Sequence, residues 1–140
     1  MLKKKFDIFE HTADVGIIVY GAGRDELFSN AAYAMFSLIT DLDDVTSSER
    51  IEIEVEADDL EILLVDWLSR LLFIYETEEL IPKEFKVITG DKPSLKAEVY
   101  GEKLDLNKHK INLLIKGVTY HQLYIKQKDH RWEARVIFDI

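Results

Sequence analysis

The chain has 140 residues, 47% of them apolar, which suits one domain with a sizeable core and excludes a disordered polymer. It holds no cysteine, so disulfides, thiolate metal sites and a cysteine nucleophile are excluded. The net charge of −9 is uneven, with six basic against nineteen acidic residues over 1–80 and twelve against eight over 81–140; this disfavours direct nucleic-acid binding and suits docking onto a basic partner surface.

In chain order, a strand signal runs from Phe6 to Tyr20 and is broken by the polar insert His11-Thr12-Ala13-Asp14. Strand-like flanks around chemically capable side chains predict a loop held by a rigid scaffold. Gly21-Ala22-Gly23 turns the chain; without a third glycine or a Walker lysine it is no phosphate loop. A helix is predicted from Arg24 to Thr40, with Leu27, Ala31, Ala34, Met35 and Leu38 on one stripe. Leu42 to Arg50 reads as an exposed loop, and Ile51 to Glu56 alternates as a half-buried strand with three outward glutamates. Asp58, with Glu61 three residues on, is expected to cap a second helix over about 59–76. Leu60, Leu63, Leu64, Trp67, Leu68, Leu71, Leu72 and Tyr75 give that helix the strongest apolar stripe in the chain.

Beyond it, Thr77 to Pro82 is predicted as loop, Phe85 to Thr89 as strand, Gly90 to Pro93 as turn and Leu95 to Gly101 as strand. Asp105 to His109 suits a short helical turn. Ile111 to Val118 and Leu123 to Lys128 are further strands, and Asp129-His130 turns into a last strand. There Trp132, Ala134, Val136 and Phe138 face one way, and Arg131, Glu133, Arg135, Ile137 and Asp139 the other. No repeat or linker divides the chain, so residues 1–140 form a single domain. The fold class is α+β: two amphipathic helices packed on mixed, largely antiparallel β-sheet.

No apolar run reaches the roughly 18 residues of a membrane span. The N-terminal lysines are followed by Asp7, Glu10 and His11 rather than an apolar stretch, so neither membrane insertion nor a signal peptide is expected. A soluble cytoplasmic protein is the expectation.

Chemistry concentrates at the two ends. If they meet, Asp14, Asp139 and the carboxylate of Ile140 share one volume. Three like charges require a cation or raised pKa values, and hard oxygen donors suit calcium, magnesium or manganese. His11 could orient one of these acids or be structural, and His121 could join the site or sit in a strand. His109 and His130 read as loop residues. The bland alternative is that Thr12 and Asp14 cap a turn through backbone amides. A hydrolase would need more than the pair His11 and Asp14: no serine elbow, triad or substrate fingerprint accompanies them. So few ligands suggest a site completed by another molecule, and no enzyme activity is expected of the chain alone.

His11-Thr12-Ala13-Asp14 resembles a motif of the archease family. So do Ala32-Tyr33-Ala34-Met35-Phe36, Asp58-Asp59-Leu60, Trp67-Leu68, Lys108-His109, Val118-Thr119-Tyr120-His121 and Phe138-Asp139-Ile140. The resemblance runs from about residue 6 to residue 140. It implies a non-catalytic activator of the RtcB-type tRNA-splicing RNA ligase, which promotes that ligase's guanylylation and multiple turnover. It also implies a divalent metal site at Asp14, Asp139 and Ile140. An alternative role in the family is a chaperone-like binding protein for a tRNA-modifying enzyme such as a tRNA methyltransferase. The segment Lys108 to Leu114 departs from the family's usual proline and Gly-Thr-Glu, which leaves its contacts open and the metal positions untouched.

Overall fold

Seven strands and two helices follow in the order β1 (Phe6–Glu10), β2 (Asp14–Gly21), α1 (Arg24–Ile39), β3 (Glu49–Glu56), α2 (Leu60–Glu78), β4 (Leu80–Thr89), β5 (Ser94–Lys103), β6 (Gly117–Lys128) and β7 (Arg131–Asp139). These elements come from a computed structural model that describes residues 4–10 and 13–140. The strands form two separate sheets, β1-β2-β7-β6 and β3-β5-β4. Every pairing is antiparallel, in keeping with the expected α+β class of two helices on largely antiparallel sheet. The helices cover one face of each sheet, as the alternating strand patterns suit.

The helices fill the space between the sheets. α1 packs against β2 and β4, and α2 against β6 and β4, so each touches both sheets. Leu64, Trp67, Leu68 and Leu71 of α2 are fully buried, as their stripe predicts. Trp67 donates its indole N–H to the Phe28 carbonyl at 3.0 Å, which satisfies the one polar atom this stripe carries inward. Phe36 meets Tyr75 edge-on and stacks on Phe85, joining both helices to β4. No helix among the described residues is long and apolar enough to cross a membrane.

Several boundaries differ from expectation, each for a tertiary reason. The cap of α2 is Asp59, not Asp58: the Asp59 carboxylate accepts from the Ile62 N–H at 2.8 Å. Residues 77–82 are not loop. α2 runs to Glu78, Glu79 turns with φ 55°, and β4 starts at Leu80. Pro82 is tolerated inside β4 because that strand is an edge and the ladder shifts register between Pro82 and Glu84. The acidic loop after α1 buries Leu42 and Val45 around a short 3₁₀ turn. The alternating run 111–118 lacks a strand to pair with; only Ile111 bridges, to Thr40, until β6 begins at Gly117. Ile115 is buried and Ile111 and Leu113 half-buried, whereas Leu114 is exposed.

Candidate metal centre

β1 and β2 form a hairpin, and β2 pairs along its whole length with β7. The broken first strand and the last strand are therefore neighbours. Asp14, the first residue of β2, lies directly opposite Asp139, the last of β7. The next pair, Val15 and Phe138, is buried, so pleat alternation turns both aspartates to the outer face. Directly opposed residues hold their Cβ atoms roughly 5 Å apart. The backbone register thus holds two acids side by side.

The backbone here is tied on both flanks. The Lys116 N–H donates to the Asp139 carbonyl at 2.7 Å, and the Ile140 N–H donates to the Ala13 carbonyl at 3.4 Å. Gly117 is the ladder partner of Asp139 on the β6 side, and a Cβ there would meet nothing within 4 Å, so the space beside Asp139 is open. Asp139 is exposed and Asp14 half-buried. Asp14 Oδ1 is buried with no hydrogen-bond partner, and neither aspartate forms an ion pair among the described residues. A buried carboxylate oxygen with nothing to bond costs about 1–3 kcal/mol or more. A turn-capping role for Asp14 would have given its oxygens backbone amides; here Oδ1 receives none. The donors present are hard oxygens, and they fit a divalent cation of the magnesium or calcium type. No group of three His, Cys, Asp or Glu side chains clusters among the described residues, so any cation here would draw on main-chain oxygens, water or a partner as well.

The remaining sequence candidates divide. His11 lies outside the described residues. His121 is exposed on β6, within the irregular segment between Thr119 and Tyr124, where its N–H donates to Thr119 Oγ1. Gly117 is the β6 residue level with Asp139, so the strand carries His121 away from the carboxylates rather than to them. His130 occupies the β6–β7 turn, where Asp129 and His130 take φ 50° and 67°, the left-handed pair that a two-residue hairpin favours.

His109 lies in the loop after β5, as read, and is buried there. Its Nδ1 accepts from the Asp105 N–H at 3.0 Å, and its Nε2 meets Glu102 Oε1 at 2.6 Å. Accepting at Nδ1 fixes the tautomer, so Nε2 carries the proton and donates to Glu102. The Lys108 ammonium, with further help from Thr46 and His109, outweighs burial and holds the Glu102 carboxyl down to about 2. This cluster belongs to β5 and the turn after it. It pins the departing segment through partners internal to the chain. Its only sequence signal is a histidine seven residues after a strand glutamate, too common to have found it.

A two-sheet α+β protein with an unbridged carboxylate pair at the edge of its central strand ladder is the class that the geometry defines. Comparison with known proteins then places it more narrowly. Residues 6–140 match the model of the archease protein family. The chain is 42% identical to the protein archease of Pyrococcus abyssi, covering 98% of this chain and 99% of that one. To its Methanosarcina barkeri counterpart it is 40% identical over 98% and 97%. The solution structure of Methanobacterium thermoautotrophicum protein 1598 superposes with a TM-score of 0.86 at 38% identity, covering 96% of this chain and 98% of that one. The crystal structure of a Thermotoga maritima archease, named there a possible chaperone, shares the fold with a TM-score of 0.66 at 20% identity, over 100% and 98%. The chain belongs to the archease family.

Proposed function

We propose that this protein is a non-catalytic cofactor of an RtcB-type tRNA-splicing RNA ligase. It promotes the ligase's guanylylation and multiple turnover in the cytoplasm through a divalent cation at Asp14, Asp139 and the carboxylate of Ile140. The observation that carries the reading is the direct opposition of Asp14 and Asp139, with Asp14 Oδ1 buried and unpartnered. When bound, a calcium, magnesium or manganese ion would supply positive charge for phosphate oxygens. The chain's own part is to hold the acids in register, keep Asp14 half-buried and leave space beside Gly117 for a partner's groups. Among the described residues too few side chains converge to complete a coordination shell, which supports a shared site over a self-sufficient catalyst.

A multiple-turnover ligation assay with the cognate ligase tests this. The wild-type chain is expected to raise turnover, and Asp14→Ala to abolish that stimulation while leaving the circular dichroism spectrum unchanged. One glycine added after Ile140 moves the carboxylate by up to about 3.6 Å without removing a side chain, and is expected to weaken both stimulation and metal binding by calorimetry. Full stimulation by Asp14→Ala would overturn the proposal.

A second reading has an observation of its own. Leu106, Leu114 and Tyr120 are 75, 67 and 58% exposed, apolar surface of the kind a chaperone offers a client such as a tRNA methyltransferase. Suppression of client aggregation that survives Asp14→Ala would favour that role over ligase activation.

A further inference from the structure

Past the carboxylates, the outer face of the same sheet changes sign. Along β7, Asp139, Ile137 and Arg135 share that face; opposite them on β2 stand Asp14, Gly16 and Ile18. The Phe9 ring packs against Gly16, where any Cβ would collide with it. The Arg135 guanidinium sits 4.5 Å from the centre of that ring. On its other side, Arg135 Nη2 donates to Gln122 Oε1 at 2.6 Å. Gln122 reaches this position from a left-handed backbone, φ 52°, inside the irregular stretch of β6. A non-glycine residue held there costs of order 1 kcal/mol or more, and such outliers gather at functional sites.

What the guanidinium lacks is an anion. Arg135 forms no ion pair among the described residues, and its Nε is buried with no hydrogen-bond partner. Nearby acids are already engaged: Glu133 with Tyr124, Lys126 and Arg131, and Asp7 with Lys4 and Tyr20. Arg50, by contrast, bonds two glutamates. In a chain of net charge −9, this guanidinium is clamped between an aromatic ring and a neutral amide and keeps donors unused among the described residues.

We propose that Arg135 is an anion seat that, together with a cation at Asp14 and Asp139, binds the terminal phosphate monoester of a nucleotide or RNA end. This rests on the metal reading above and adds the ligand class to it. A planar fork of N–H donors matches phosphate oxygens, and stacking on Phe9 fixes the fork's plane. The backbones of residues 135 and 139 are roughly 13 Å apart along the strand, a gap that an arginine side chain, a phosphate group and a cation laid end to end can fill. A phosphate dianion between cation and guanidinium meets positive charge on both sides, whereas the cation alone would leave its outer oxygens to water.

The test is a titration of the ¹⁵N-labelled full chain with guanosine 5′-monophosphate and, separately, uridine 3′-monophosphate, with and without Mg²⁺. The two nucleotides distinguish a nucleotide source from an RNA end. With Mg²⁺ present, at least one is expected to bind and shift the Arg135 Nε–H resonance. Arg135→Gln should weaken that binding by roughly 10-fold or more, the worth of a charged hydrogen bond, and Arg135→Lys by less. Mg²⁺ affinity, measured alone, should be the same in both variants as in the wild type. If Mg²⁺ binds but neither phosphate depends on Arg135, the anion seat is overturned and the metal reading stands. If Mg²⁺ does not bind the wild-type chain, both fall.

Discussion

Each sheet carries one pair of acids directly opposed across strands, and the two pairs are treated differently. On the smaller sheet Glu52 of β3 faces Glu98 of β5, and Arg50 Nη2 reaches both, at 2.7 and 3.0 Å. One guanidinium spans the two like charges and cancels the repulsion. On the larger sheet Asp14 faces Asp139 in the same cross-strand relation, yet no side-chain cation among the described residues bridges them. Arg135, on the same face, is turned to Gln122 and Phe9 instead. The chain can place an arginine between opposed acids and does so where the pair is structural. Leaving the second pair open is a stability cost of a few tenths of a kcal/mol to about 1 kcal/mol, of the kind tolerated where a ligand completes the arrangement.

Both pairs rest on the same core, and the largest effect is expected there. Leu68 is fully buried on the α2 stripe, so Leu68→Ala should destabilise the fold by about 2–5 kcal/mol in denaturant melts, with the slope unchanged. That variant should lower metal binding only in proportion to the unfolded fraction. A loss of metal binding under conditions where the variant is still folded would mean that the open pair depends on core packing and is not fixed by its own strand register.

The contrast between the pairs makes the next prediction run against the usual sign of a mutation. In protein freed of metal, Asp14→Asn keeps the side chain's shape and removes one of two facing charges. It should therefore stabilise by roughly 0.2–1 kcal/mol. Adding Mg²⁺ should stabilise the wild type and leave the variant nearly unmoved, reversing their order. Thermal melts with chelator and with Mg²⁺ decide it: a variant less stable than the wild type in chelator would show that Asp14 serves the fold.

The open pair was readable in the sequence, and what surrounds it was not. Asp14 stood out as the acid of a polar insert in a strand signal and Asp139 as an acid at the end of the last strand, and the alternation of β7 fixed the face on which Asp139 lies. The helices were equally plain, since eight apolar residues at helical spacing admit one reading. Local pattern failed where partners are distant. His109 reads as a loop residue and is one, but no pattern shows that Glu102 of β5 holds it buried. Pro82 ends a loop on propensity and lies within a strand because that strand is an edge. Arg135 is merely an outward residue in an alternating strand; its ring and its amide come from β1 and from an irregular stretch of β6 that no spacing foretells.

The smallest effect is expected at the bridged pair, where the comparison can be inverted. Arg50 and both glutamates are exposed, so the bridge works in high dielectric and contributes little to stability. Its clearest trace is in titration. Arg50 is the chief cause holding the Glu98 carboxyl below its ordinary value of 4.5, with Tyr100 assisting. A carboxyl depressed by folding contributes stability above its unfolded pKa, and that contribution fades as pH falls through the folded one. Arg50→Gln should raise the Glu98 carboxyl, read directly by its ¹³C shift against pH, and remove that contribution, which is present at neutral pH and lost in acid. The accompanying drop in melting temperature at neutral pH should be slight and should shrink as salt rises toward 1 M, where the Debye length is about 3 Å. The variant also leaves Glu52 and Glu98 opposed with no bridge, as Asp14 and Asp139 are. If an unbridged acid pair alone sufficed to hold a divalent cation, Arg50→Gln would create a second site of equal affinity. It should not: this pair is exposed, and neither carboxylate has a buried oxygen like Asp14 Oδ1 or a carbonyl-lined strand end beside it. Calorimetry showing two equivalent cation sites in Arg50→Gln would mean that like-charge opposition alone, and not the half-buried setting of Asp14, makes the centre.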